Sequence, residues 1–172
     1  MVKIIGAALI IIACGLFGNS VASAYARRPN LLRSFQTALQ FLETEIDYGA
    51  TPLPEALEKV AWSAGPELEL FFFKVREHLL SATGYSIQEA WGIGLDDLSA
   101  NSVLRTQELE VLAPLGGILG SSNREDQVKH LQLTLQQLKV AEEKTRDEAN
   151  RNEKMWRYLG FLLGAMLVLT FY

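Results

Sequence analysis

From Ser122 to Tyr172 the chain contains no proline and only two glycines, Gly160 and Gly164. Nothing there breaks a helix outright. At ~1.5 Å per residue, one helix over the whole stretch would be roughly 75 Å long. It opens on Ser122-Asn123-Arg124-Glu125, the Ser-x-x-Glu pattern of a capping box, in which serine and glutamate satisfy free amides of the first turn. Charged and glutamine-rich sequence fills its first two thirds. After Arg151, Lys154 and Arg157 the composition turns apolar and stays so from Tyr158 to Tyr172. A helix that is polar for most of its length and apolar at its end passes from one solvent into another. The expectation is a stalk that continues into a membrane.

The other end of the chain is apolar too. After Lys3 comes an apolar run from Ile4 to Phe17, then small residues to Ala24. Three readings compete. Ala22-Ser23-Ala24 has the A-x-A form of a signal-peptide cleavage site. Cys14 has the position of a lipoprotein cysteine, although Ile11-Ile12-Ala13 fits that site poorly. An uncleaved transmembrane helix of roughly 20 residues is the third. The positive-inside bias decides among them. Arg27, Arg28 and Arg33 follow the first apolar segment, and Arg151, Lys154 and Arg157 precede the second. Both asymmetries place the middle of the chain in the cytoplasm and both ends outside. The reading is therefore a membrane hairpin: an N-terminal transmembrane helix over 1–24, a cytoplasmic domain over 25–157 and a C-terminal transmembrane segment over 158–172. Its rival is an exported, tail-anchored scaffold or adhesin of the cell envelope.

Charge sharpens the division. Between Arg33 and Arg151 there are nine bases against nineteen acids, a net of −10. A body so acidic disfavours nucleic acid as a partner. The single cysteine, Cys14, allows no intramolecular disulfide.

Periodicity between the spans predicts six helices and no strands. The first runs from about Asn30 to Tyr48, with Leu31, Leu32, Phe35, Ala38, Leu39, Leu42 and Ile46 at three-and-four spacing. Gly49 ends it. The second follows Pro52 and Pro54 and carries Ala56, Leu57, Val60 and Ala61. The third begins at Pro66 with Glu67 and Glu69 at its positive end. The fourth opens on a capping box, Ser86-Ile87-Gln88-Glu89, and runs to about Leu98. The fifth spans about Val103 to Ala113, and Leu115 to Gly120 reads as an apolar hinge. The sixth is the long helix, whose stripe of Val128, Leu131, Leu135 and Leu138 fades at Glu142. It should pack early and be solvated later. Short connections favour antiparallel neighbours. The fold class is all-α, a six-helix antiparallel bundle flanked by two transmembrane helices, the last helix continuous into the membrane.

Chemistry is sparse in the sequence. His78 and His130 have no partner at metal-ligand spacing, so no metal is expected. Gly92-Ile93-Gly94 lacks the strand-then-helix setting of a dinucleotide site. No nucleophile has a base beside it. The reading is a non-enzyme without a cofactor. Glu43, Glu45 and Asp47 form the tightest acidic cluster, either a solvated face, or a docking patch for a basic partner or a weak cation site. Phe71-Phe72-Phe73 cannot all face one way, being ~100° apart on a helix. Either their helix is buried on two sides or one ring is exposed. Trp91 reads as core. Gly160 and Gly164 form a G-x-x-x-G, a candidate packing face between membrane helices.

Several segments resemble a known family. They are Leu53-Pro54-Glu55-Ala56-Leu57 after the first helix, Gly116 and Leu119-Gly120-Ser121-Ser122-Asn123 leading to Gln127 and His130-Leu131, and the closing Arg157-Tyr158-Leu159-Gly160-Phe161-Leu162-Leu163-Gly164. With two terminal spans, they resemble the stage III sporulation protein AB family of endospore-forming Firmicutes over the whole chain. That family is similar in its soluble part to a six-helix cytoplasmic domain of the F-type platform proteins of type II secretion and type IV pilus machines. The resemblance implies a platform subunit of the mother cell–forespore channel, in the outer forespore membrane on the mother-cell side. It implies a secretion-type ATPase resembling stage III sporulation protein AA, and other stage III sporulation membrane subunits, as partners. This chain has one such domain where secretion platforms typically carry two, so it is expected to form an oligomer.

Overall fold

The computed structural model describes the backbone over 2–49, 51–82 and 84–171. It describes side-chain surroundings over 26–49, 51–82 and 84–152, and at scattered positions nearer both ends. Among the described residues the regular structure is all helical, with no strand. The order is α1 (Val2–Asp47), α2 (Leu53–Ser63), α3 (Pro66–Leu80), α4 (Ile87–Asn101), α5 (Thr106–Leu112), α6 (Leu115–Ile118) and α7 (Arg124–Phe171). The chain divides into two compact units. Unit 1 joins Met1–Pro29 with Glu143–Tyr172, and unit 2 is Asn30–Glu142.

Unit 2 is built on the stripes that periodicity picks out. Every α1 residue named above from Leu31 to Ile46 is buried, as are Ala56, Leu57, Val60 and Ala61 of α2. Its centre is aromatic. Phe71 and Phe72 are both buried, and each packs edge-on against Trp91 of α4, with ring centroids 5.0 and 6.3 Å away. Phe35 of α1 completes the group, 5.6 Å from Phe71. The third ring, Phe73, is half-buried under Trp62 at 5.2 Å. Helix α3 is thus buried on two sides. Trp91 satisfies its indole by donating from Nε1 to the Leu112 carbonyl at 2.9 Å, as a buried indole requires.

Two glycines explain how the helices approach so closely. A Cβ on Gly94 would lie 2.8 Å from Val75 Cγ2, and one on Gly116 would lie 2.9 Å from Trp91 Cβ. The Gly92-Ile93-Gly94 segment therefore serves the packing of α4 on α3. The expected hinge at Leu115–Gly120 is instead part of the core. It forms the short helix α6, with Leu115 and Leu119 fully buried and Gly116 against the tryptophan.

The helix starts differ from expectation in one place. At α4 the capping box is present as written: Glu89 N–H donates to Ser86 Oγ, and Ser86 N–H donates to Glu89 Oε2 at 2.8 Å. At α7 the cap is Asn123, whose Oδ1 accepts from Asp126 N–H at 2.8 Å. The Ser122 hydroxyl is turned back to donate to the Ile118 carbonyl at 3.0 Å. Both residues suit an N-cap, and the α6 carbonyl draws the serine away. Gln127 then braces the turn. Its Nε2 donates to the Ser122 carbonyl and its Oε1 accepts from Gly120 N–H. Gly120 has φ +72°, a conformation that favours glycine.

The first helix does not begin afresh at Asn30. Helix α1 runs unbroken from Val2, with Pro29 inside it. A proline there removes one donor but keeps a helical φ. In unit 1, Arg28 Nη1 lies 3.6 Å from Glu148 Oε2, a tie between α1 and α7 beside that proline.

The stripe on α7 also departs from expectation. Its apolar character ends at Leu138, but its burial does not. Glu142, Thr145 and Ala149 are as inaccessible as residues of the core. Leu131, Thr134, Leu138, Glu142, Thr145 and Ala149 follow one another at three-and-four spacing, so one face of α7 stays covered while its chemistry changes from leucine to polar and small side chains.

The two expected spans, 1–24 and 158–172, have nearly all their side chains outside the described residues. Among the described residues, no helix is long and apolar enough to cross a membrane.

Candidate interaction surface

The acidic cluster sits at the end of α1, and the fold divides it. Glu43 accepts a hydrogen bond from Gln132 Nε2 of α7 at 2.8 Å. Glu45, on the other side of the helix, accepts from Lys59 Nζ of α2 at 2.6 Å and from Thr51 Oγ1 at 2.8 Å. The Lys59 ammonium, and then the Thr51 hydroxyl, hold the Glu45 carboxyl below the ordinary glutamate range. Gly49 belongs to the same corner, since a Cβ there would lie 2.7 Å from both the Glu45 carbonyl and Thr51 Oγ1. It ends the helix through close approach and not through a left-handed backbone. Asp47 is half-buried, and Tyr48 beside it is 84% exposed. The three acids are therefore not one patch. Glu45 is a structural clasp, Glu43 a tie to α7, and Asp47 with Tyr48 forms the outward part.

The six junction bases have different settings. Arg28 meets Glu148, and Arg33 Nη2 meets Glu142 Oε1 at 3.0 Å. Arg27 and Arg151 are exposed. Lys154 and Arg157 lie outside the described residues, as do Gly160 and Gly164. His78 packs edge-on against Tyr85, with centroids 5.3 Å apart, and His130 is exposed. Among the described residues, no group of three or more histidine, cysteine or acidic side chains is gathered as for a metal ion.

Two further surface features were not read from the sequence. Trp62 is 71% exposed although its ring rests on Phe73. It follows directly on the buried pair Val60 and Ala61, so a helical wheel of α2 turns it outward. A groove of about 240 Å³ lies between the start of α3 and the end of α4, with Leu70, Phe71 and Leu98 as its apolar lining and Glu67 and Asp97 among its polar residues. Only the packing of the two helices creates it, so periodicity alone does not show it.

Comparison with known proteins places this arrangement. The stage III sporulation protein AB family matches residues 3–172. Stage III sporulation protein AB of Bacillus subtilis (strain 168) is 35% identical over 169 residues, covering 98% of each chain. A solved structure described as stage III sporulation protein AB (SpoIIIAB) superposes with a TM-score of 0.65 at 31% identity, covering 72% of this chain and 97% of that one. The match runs through both the bundle and the ends of the sequence. The chain belongs to the stage III sporulation protein AB family.

Proposed function

We propose that this protein is a non-catalytic platform subunit of the channel between mother cell and forespore, coupling a cytoplasmic secretion-type ATPase to membrane components. Family membership over nearly the whole chain supports a role in sporulation. One structural observation carries the platform reading further: the first and last helices of unit 2 are the same helices, α1 and α7, that extend to the two apolar ends of the sequence. A bundle whose two longest helices lead to apolar termini suits a body that stands on a membrane through two roots. The basic residues Arg27, Arg28, Arg33, Arg151, Lys154 and Arg157 suit the cytoplasmic side of such roots. Oligomerisation, and pairing with other stage III sporulation membrane subunits, belong to the same reading.

The ATPase, one resembling stage III sporulation protein AA, is proposed to dock at the distal end of α1. Asp47 and Glu43 are the residues of choice, since the Glu45 charge is already met by the Lys59 ammonium, whereas Glu43 is held by the neutral Gln132 amide. Reversing both, Glu43→Lys with Asp47→Lys, is expected to weaken co-purification with the ATPase and to block late spore development while the helical content is kept. Unchanged binding and unchanged sporulation would remove these residues from the interface.

A further inference from the structure

The groove between α3 and α4 is a candidate site, but its two acids already have partners within the chain, Asp97 with Lys74 at 2.7 Å. The contact between α1 and α7 carries more.

Within unit 2 these helices run antiparallel. Arg33 meets Glu142, and ten residues further along α1, Glu43 meets Gln132, ten residues back along α7. Along and just before the stretch that the two ties bound, the buried face of α7 presents Leu131, Thr134 and Leu138, with Leu135 half-buried beside them. Leucine seams of this kind are poor at choosing a register. A shift of α7 by one turn carries Leu135 toward the place of Leu131 or Leu138, so apolar area is covered almost as well as before.

The Glu43 end chooses only in part. Of the four positions three or four residues from Gln132, Val128 and Leu135 have no donor to offer, but Lys129 and Gln136 are both able to donate to a carboxylate. The Glu142 end does choose. Residues three and four away on either side are Leu138, Lys139, Thr145 and Arg146, none of them acidic and two of them cationic. Any one-turn slip takes the carboxylate away from Arg33, and two of the four bring a like charge toward it. Glu142 is also the place where a mismatch costs most, because its side chain is only 9% exposed whereas Arg33 is 60% exposed. A carboxylate taken out of water needs its hydrogen bonds in place.

We propose that Arg33 and Glu142 act as a register pin, selecting one alignment of α7 on α1 from several that the leucines alone would accept. Fixing register is the best-attested use of a buried polar pair among apolar helix contacts. The pin concerns the chain's own two longest helices and stands independently of the platform reading.

Disulfide trapping in the detergent-solubilised full chain, with Cys14→Ser, tests it. Glu43→Cys with Gln132→Cys reports the observed register. Glu43→Cys with Lys129→Cys, or with Gln136→Cys, reports one-turn slips. With Arg33 and Glu142 intact, the first pair should cross-link and the other two should not. Glu142→Arg should raise the slipped-pair yield by about tenfold, less than a wholly buried pair would give because Arg33 is largely exposed. The exchange Arg33→Glu with Glu142→Arg should restore the original pattern. Circular dichroism establishes that each variant is folded. Should Glu142→Arg unfold the bundle, Glu142→Gln keeps the shape and removes the charge, and it should still raise the slipped-pair yield. An unchanged pattern in the folded reversal or glutamine variant, or an exchange that fails to restore it, overturns the proposal.

Discussion

The centre of unit 2 and the contact of α1 with α7 are held by opposite means. At the centre, Phe35, Phe71, Phe72 and Trp91 fill the space between three helices, and Gly94 and Gly116 let the backbones close on them. Such a contact has one solution, because a ring fits one cavity and a glycine sits against one neighbour. Along the part of α7 in unit 2 the covered face repeats leucine at close spacing, and the Arg33–Glu142 tie selects among its alignments. Stability is concentrated in the first region and specificity in the second.

The largest effect belongs to the centre. Trp91→Ala removes a fully buried ring and leaves the Leu112 carbonyl without its indole donor. Loss of about 3–5 kcal/mol is expected in a denaturant titration of the full chain. A loss below about 1 kcal/mol, the scale of a surface pair, would show that the aromatic group is not the keystone and would break the comparison. A smaller effect belongs to the α1–α7 contact. Arg33→Ala, at a position 60% exposed, is expected to cost about 1 kcal/mol or less in the same titration. A cost equal to that of Trp91→Ala would mean the polar tie supports the fold as well as the alignment.

The smallest effect is that of acid. Both Glu45 and Glu89 are held below the ordinary glutamate range, the first by Lys59 and the second by the Ser86 amide. The folded chain therefore takes up these protons later than the unfolded chain does. Their contribution is complete above the ordinary range and is lost as pH falls through the depressed folded values. Thermal unfolding monitored against pH should show this decline, and Glu45→Gln with Glu89→Gln should flatten it. A decline of the same steepness in that double variant would assign it to other carboxylates.

Much of this was legible in the sequence. The stripes of α1 and α2 predicted their buried residues one by one, because a helix that covers a single face leaves a clear period. Ser86 and Glu89 announced their own cap. The failures share a cause, which is that an isolated segment does not show its neighbours. Leu115 to Gly120 read as a hinge because two adjacent glycines look flexible until a tryptophan is packed against one of them. Ser122 read as the cap because the competing Ile118 carbonyl comes from α6. Glu142 read as the start of a solvated stretch because a charge usually marks a wet face, and only the approach of Arg33 makes it a covered one. The acidic cluster looked single in sequence, yet Glu43 and Glu45 point to different helices, and their partners lie far along the chain.

The proposed platform role requires that the bundle face the cytoplasm. Tyr48, at 84% exposure, offers a direct reporter. In cells carrying the Cys14→Ser, Tyr48→Cys chain, a membrane-impermeant maleimide should label the protein only after the cells are opened. Labelling of intact cells would place the bundle outside and contradict the account.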